Sequence, residues 1–191
     1  MRNSACARLR SNMGWTFKLH GGVAVVLGFV LLVLTALSWL PGTFSLAGAR
    51  WLVVAGFALL PPVFLSALVR GFLARTDRQS LWLAFRCLPG QVQVGLAALF
   101  VSGAVMAVVT MGGGTNLQAA EMREGRYFAL DTTPHARGRV EVSRSRYEAV
   151  LASDRRPMLV IPGMLFIGAA FVVLTAGEVR RADHAATLRT R

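Results

Sequence analysis

Four uninterrupted apolar blocks constrain the fold of this chain more than any other feature. Each block runs for 18 to 20 residues without a charged side chain, at Gly21–Leu40, Trp51–Val69, Val94–Met111 and Met158–Gly177. About 20 helical residues cross a hydrocarbon core of about 30 Å, whereas a helix of this length in a soluble protein normally keeps a polar face. The blocks predict a mainly α protein, an integral membrane four-helix transmembrane bundle.

The long polar interval at residues 112–157, between the third and fourth blocks, has a pattern of its own. Phe128 and Leu130 alternate with their neighbours, as do Val140 and Val142, and this period of two is typical of strands. The turn-forming segment Thr-Pro-His-Ala-Arg-Gly separates the two pairs. We therefore predict a small extracytoplasmic β-hairpin in this interval.

A short helix is predicted to follow the hairpin. Ser145 and Glu148 have the Ser-x-x-Glu spacing of a helix cap, and Pro157 is a stop signal. Residues 158–177 then form the fourth transmembrane helix, and residues 178–191 a basic tail.

The predicted hairpin needs a packing partner, because two strands alone are marginally stable in water. It could pack on its short helix, on the ends of the transmembrane helices, or on another protein. We predict an interaction surface with Tyr127, Phe128, His135 and Tyr147 as its candidate residues. The alternative is that the interval covers its own helices and binds nothing.

A second, shorter pattern lies near residues 77–88, within the region 21–111 that holds the first three transmembrane helices. Thr76 and Gln79 have capping-box spacing, and Leu81, Phe85 and Leu88 follow at helical spacing. One interpretation is an amphipathic helix in the membrane interface, with its apolar side in the lipid. The other is an ordinary apolar connector.

The net charge of +12 favours a membrane rather than nucleic acid, because the basic residues lie at the ends of the apolar blocks and not in one stripe. The leader at residues 1–20, the loop between blocks two and three and the tail hold twelve basic residues. The opposite side holds nine, most of them interleaved with acids. The positive-inside rule then predicts both termini in the cytoplasm. The predominance of Arg over Lys suggests a GC-rich bacterial genome, so we expect the bacterial cytoplasmic membrane as the location.

The leader before the first block resembles the start of a secretory signal, but the block is longer than a signal's apolar region. We expect an uncleaved first helix. Cys6 and Cys87 both fall on the predicted cytoplasmic side, so the sequence predicts reduced thiols.

Motifs that carry catalysis, phosphate binding or metal binding do not occur in the sequence, so we predict a non-enzymatic protein without cofactor or metal. The four blocks also contain no Asp, Glu, Lys, Arg or His. Carriers coupled to protons place such residues at depth, so a coupled transporter is disfavoured.

The arrangement resembles small four-span bacterial membrane proteins of uncharacterised function that carry one exported loop between the last two spans. The residues that carry this resemblance are Gly125-Arg126-Tyr127, His135, Val142-Ser143 and Tyr147. The resemblance implies a membrane location and an exported fold, and it implies no activity.

Two functions follow as hypotheses. The first is a non-enzymatic protein whose exported loop contacts another membrane or envelope protein, which it regulates or neutralises as an immunity protein. The second is permeation or lipid handling by the transmembrane helices, with Pro61-Pro62 kinking the second helix to form a pathway or groove. The lipid bilayer is a partner in both.

Overall fold

The computed structural model describes residues 14–40, 50–74, 78–113, 116–135 and 137–187. These residues form five helices and three strands, in chain order α1 (Trp15–Leu37), α2 (Arg50–Leu73), α3 (Arg78–Cys87), α4 (Gly90–Gly112), β1 (Leu117–Arg123), β2 (Arg126–Asp131), β3 (Gly138–Glu141) and α5 (Arg144–Thr187).

Helices α1, α2, α4 and α5 are long and apolar enough to cross a membrane. The prediction of a mainly helical chain with four candidate spans is therefore confirmed. Among the described residues, about half of the buried side chains belong to helix α5, including Leu159, Val160, Phe166 and Ile167. Many of its other buried positions are alanines, and small residues of this kind let helices approach closely where lipid is the surrounding medium.

The predicted stop at Pro157 is wrong. Helix α5 is a single helix of 44 residues that continues through Pro157 and Pro162. A proline removes only its own hydrogen bond and strains the turn before it. Leu159 and Val160, two and three residues after Pro157, are almost completely buried, and this packing offsets the loss. The predicted short helix and the fourth candidate span are thus one element.

The chain divides into two compact units. The first takes the described residues within Met1–Phe29, Leu59–Val101 and Met164–Arg191, and the second those within Val30–Ala58 and Ser102–Gly163. The buried side chains of the first unit include Ala24, Ala67, Leu96, Phe166 and Val173, and those of the second include Leu31, Leu32, Ala129, Val150 and Leu159.

Helix α3 confirms the predicted helix near residues 77–88 but changes the role of its apolar side. Phe85 contacts Phe171 of α5 with ring centroids 5.4 Å apart, and Leu88 is buried. Trp82 and Leu83 are the exposed apolar residues of this helix. The apolar side that the amphipathic-helix interpretation assigned to lipid therefore packs partly on protein.

Cys87, at the end of α3, is disulfide-bonded. The prediction that it is a reduced thiol is therefore wrong. Cys6, the other cysteine of the sequence, lies outside the described residues.

The second unit contains an antiparallel sheet in the order β1-β2-β3. The predicted hairpin corresponds to β2 and β3, in which Phe128 pairs with Glu141 and Leu130 with Arg139. The predicted count of two strands is wrong, because β1 joins β2 through the tight turn Glu124-Gly125. Both turn residues have positive φ, 50° and 78°, as a two-residue hairpin of the I′ type requires.

Candidate interaction surface

One face of the sheet is covered by the first turns of α5. The rings of Tyr127 in β2 and Tyr147 in α5 lie 4.9 Å apart, centroid to centroid. Ala129, two residues along the strand and therefore on the same face, is buried, as is Val150 one helical turn after Tyr147. These residues form a small core that the isolated hairpin lacks.

The start of α5 is fixed by Ser143. The Ser143 carbonyl accepts a 2.9 Å hydrogen bond from the Tyr147 amide, and its hydroxyl accepts a longer one, 3.4 Å, from the Arg146 amide. The helix cap therefore lies two residues before the predicted cap at Ser145, and α5 begins at Arg144. Glu148, which was expected to complete that cap, instead pairs with Arg144 at 3.1 Å.

A bulge in β1 provides a second connection between the sheet and α5. The register of β1 against β2 shifts between Gln118 and Glu121, and Ala119 adopts a positive φ of 51°. A bulge turns backbone groups away from the strand ladder. The amides of Ala119 and Ala120 donate instead to the Asp154 carboxylate of α5.

Arg156 extends these contacts within the second unit to the end of α1. Its guanidinium donates to the Ser38 carbonyl at 3.0 Å and to the Ser38 hydroxyl at 3.1 Å, and it lies 5.8 Å from the Trp39 ring. A cation at a helix carboxyl end satisfies carbonyls that have no partner within the helix and interacts favourably with the helix dipole.

The other face of the sheet is open. Phe128 and Leu130 lie at its middle, because residues of a strand alternate between faces, and Leu130 is 40% exposed. We call this side of the sheet the open face. Its apolar residues are Phe128 and Leu130, and the charged and polar residues around them are Gln118, Glu121, Arg123, Arg126, Arg139 and Glu141.

Ion pairs surround the two apolar side chains of the open face. Glu121 of β1 reaches Arg139 of β3 at 3.2 Å, so this pair passes over the middle strand, and Glu121 also pairs with Arg123 at 2.9 Å. Arg126 and Glu141 form a longer contact of 3.8 Å. All five side chains are more than 40% exposed, and exposed pairs of this kind each contribute only about 0–1 kcal/mol.

Two carboxylates of the sheet have a lowered pKa. The hydrogen bond from Arg123, together with the charges of Arg123 and Arg139, lowers the pKa of Glu121. The side chain and backbone of Thr133 both donate to Asp131, and these hydrogen bonds lower the pKa of that carboxyl. Both groups therefore favour the ionised form in the folded protein.

The structure does not bring the four predicted interaction residues together. Tyr127 and Tyr147 are half-buried against each other, Phe128 points to the opposite face of the sheet, and His135 is exposed in the β2–β3 turn with a φ of 73°. Sequence reasoning missed Leu130 and the charged residues of the open face. The alternation of Phe128 and Leu130 was the available signal, but it does not tell which face is covered.

The first unit contains a polar contact between α1 and α2. His20 lies inside α1, because that helix begins at Trp15, before the apolar block. Its Nε2 lies 3.1 Å from the Val63 carbonyl and 3.3 Å from the Ser66 hydroxyl. The carbonyl can only accept, so Nε2 carries the proton. The apolar blocks themselves contain no ionisable residue. The candidate spans are longer than the blocks and do contain ionisable residues.

Glu178 of α5 is a further ionisable residue within a candidate span. It is buried and receives two hydrogen bonds, 3.1 and 3.2 Å, from Arg181. Over the described residues, no group of three or more His, Cys, Asp or Glu side chains is placed to hold a metal ion.

No family model, curated protein or solved structure matches this chain. The resemblance to four-span proteins therefore stays a prediction.

Proposed function

We propose that this chain is a non-catalytic multi-pass protein of the bacterial cytoplasmic membrane whose sheet binds another membrane or envelope protein through the open face. The binding would serve a regulatory or immunity-type role. The observation that carries the proposal is the difference between the two faces of the sheet. One face is covered by α5, whereas on the other face Leu130 is exposed and Phe128 is only half-buried.

The chemistry of the open face fits reversible binding of a protein. Interfaces commonly place aromatic and aliphatic anchors at the centre and polar groups at the rim. Phe128 and Leu130 have this central position, and Glu121, Arg139 and Arg126 surround them. Because exposed ion pairs are individually weak, a partner can exchange them for its own charges at small cost.

Site-specific photo-crosslinking in living cells tests the proposal. A photo-reactive amino acid replaces Leu130 on the open face or, as the control, Met122, which is 60% exposed on the same sheet. Met122 pairs with Tyr127 and therefore belongs to the opposite face. We expect a defined membrane or envelope protein to crosslink from position 130 and not from 122, and Phe128→Ala to abolish that crosslink. Equal crosslinking from both positions, or none from 130, contradicts the proposal.

The proposed orientation places both termini in the cytoplasm and the sheet outside. The distribution of basic residues supports it, whereas the disulfide of Cys87 counts against it, because cytosolic thiols are kept reduced. Labelling of single cysteines tests the orientation. Cysteine replaces Ser145 or Thr187 in a Cys6→Ser, Cys87→Ser background, and intact cells are treated with a membrane-impermeant thiol reagent. Labelling at 145 alone supports the orientation, and labelling at 187 alone reverses it.

A second candidate function, permeation or lipid handling by the helices, is favoured by the contact of His20 with Val63 and Ser66. Polar groups inside a candidate span are costly and often mark a pathway. A chain in which a short flexible linker replaces residues 117–141 separates the two candidates. Function that survives this replacement favours the helices, and function lost with intact membrane insertion favours the sheet.

A further inference from the structure

Two arginines from different helices converge on one aromatic ring in the first unit. The guanidinium carbon of Arg70 in α2 lies 4.8 Å from the centre of the Phe17 ring, and that of Arg180 in α5 lies 5.7 Å from it. Arg70 also donates a 3.4 Å hydrogen bond to the Thr16 hydroxyl. We call Thr16, Phe17, Arg70 and Arg180 the arginine–phenylalanine cluster.

Close packing of α1 and α2 on α5 builds this convergence. A Cβ atom on Gly21 of α1 would lie 2.6 Å from Leu174, and one on Gly71 of α2 would lie 3.0 Å from Val172. Gly71 directly follows Arg70, and Gly21 lies one helical turn after Phe17. The two glycines therefore hold the arginines and the ring in one place.

Among the described residues, no carboxylate pairs with either cation of the cluster. Over the described residues, neither Arg70 nor Arg180 lies within ion-pair distance of a carboxylate. Glu178, the buried acid two residues before Arg180, is engaged by Arg181. Two like charges that share one ring repel each other, so a bound anion would stabilise the arrangement.

The cluster lies where the apolar blocks end. Arg70 directly follows the block Trp51–Val69, Arg180 is the third residue after Met158–Gly177, and Phe17 comes four residues before Gly21. Long basic side chains at span ends reach the headgroup region. Phosphate oxygens match the planar donors of a guanidinium, and aromatic rings are frequent at this boundary.

We propose that the arginine–phenylalanine cluster binds the headgroup phosphate of an anionic phospholipid. Arg70 and Arg180 donate to the phosphate oxygens, the Thr16 hydroxyl is a further donor, and Phe17 keeps the guanidiniums oriented. This proposal shares the membrane location with the proposed function but is independent of the sheet and of any protein partner.

Native mass spectrometry of the full chain, purified in detergent without a partner, tests the site. Phosphatidylglycerol and phosphatidylcholine are titrated separately, and the dissociation constant of the first bound lipid is measured for each. We expect a preference for phosphatidylglycerol that falls about tenfold in Arg180→Gln and further in the double variant Arg70→Gln, Arg180→Gln, because each variant removes a charge-assisted hydrogen bond to the anionic headgroup, which contributes roughly that factor or more.

Two controls make the result decisive. Lys18→Gln removes a charge from an exposed residue beside Phe17 that lies outside the cluster, and it should leave the preference unchanged. Arg180 is exposed, so its single variant should fold even where the double variant does not. An unchanged preference in Arg180→Gln, or an equal loss in Lys18→Gln, overturns the proposal.

A third titration separates a lipid headgroup from a free anion. Inorganic phosphate is added to the same detergent-solubilised protein and followed by calorimetry. We expect no binding that depends on Arg180. Phosphate binding that Arg180→Gln abolishes would reject the lipid headgroup and assign the site to free phosphate.

Discussion

Gly21 and Gly22 are neighbours in α1, but their surroundings predict opposite effects of the same substitution. A Cβ atom on Gly21 would lie 2.6 Å from Cδ2 and 2.7 Å from Cγ of Leu174. A Cβ atom on Gly22 would have no neighbour within 4 Å. Gly21→Ala must therefore displace part of α5, whereas Gly22→Ala adds a methyl group to open space.

The difference in stability follows from two opposing terms. Replacing glycine by alanine inside a helix stabilises it by about 0.5–1 kcal/mol, and forcing an extra methyl group into a packed core costs about 1–3 kcal/mol. The Cγ of Leu174 is close to its own backbone and cannot swing away freely. We expect Gly21→Ala to lower the free energy of unfolding by about 1–2 kcal/mol and Gly22→Ala to raise it by up to about 1 kcal/mol.

Unfolding of both variants in one detergent, followed by helical circular dichroism, measures this difference. Gly71→Ala provides an intermediate case, since its Cβ would lie 3.0 Å from Val172 Cγ1. Equal shifts in Gly21→Ala and Gly22→Ala, or a stabilised Gly21→Ala, would refute the packing of α1 on α5 described above.

Two further predictions concern the sheet. Asp154→Ala should destabilise the sheet by about 1–3 kcal/mol, because the two amides of the bulge lose their hydrogen-bond acceptor. Amide hydrogen exchange should then accelerate at Ala119 and Ala120. Unaltered exchange would contradict the hydrogen bonds from these amides to Asp154. Folding lowers the pKa of Glu121, so ionised Glu121 stabilises the folded protein. This contribution is complete above the ordinary carboxyl pKa and is lost as the pH falls through the lowered pKa. Carboxyl NMR should give Glu121 a pKa below that of an ordinary glutamate, and Arg123→Gln should raise this pKa. A Glu121 pKa that does not change in Arg123→Gln would show that the ion pair does not form.

The candidate spans were predictable because each contains a contiguous run of apolar residues that is visible in the sequence alone. Strand β1 was not, since its bulge breaks the alternation that reveals a strand, and Glu124-Gly125 is a weaker turn signal than Asn-Gly. The continuation of α5 through Pro157 was also hidden, because it depends on tertiary packing of Leu159 and Val160.

The candidate surface was predictable only in outline. The polar interval and its aromatic residues pointed to the right segment, but which face of β2 is covered depends on where α5 packs. The pair Glu121–Arg139 joins residues on strands that are not neighbours, so it requires the sheet register. The arginine–phenylalanine cluster likewise joins three helices that are distant in sequence.

The bulge of β1 also limits how another chain can bind the sheet. An incoming strand needs an uninterrupted row of free amides and carbonyls along an edge. In β1 the amides of Ala119 and Ala120 are already bound to Asp154, and β3 offers only the four residues Gly138–Glu141. Edge-to-edge pairing, the usual route by which exposed strands aggregate, is thereby impeded, and recognition is left to the side chains of the open face.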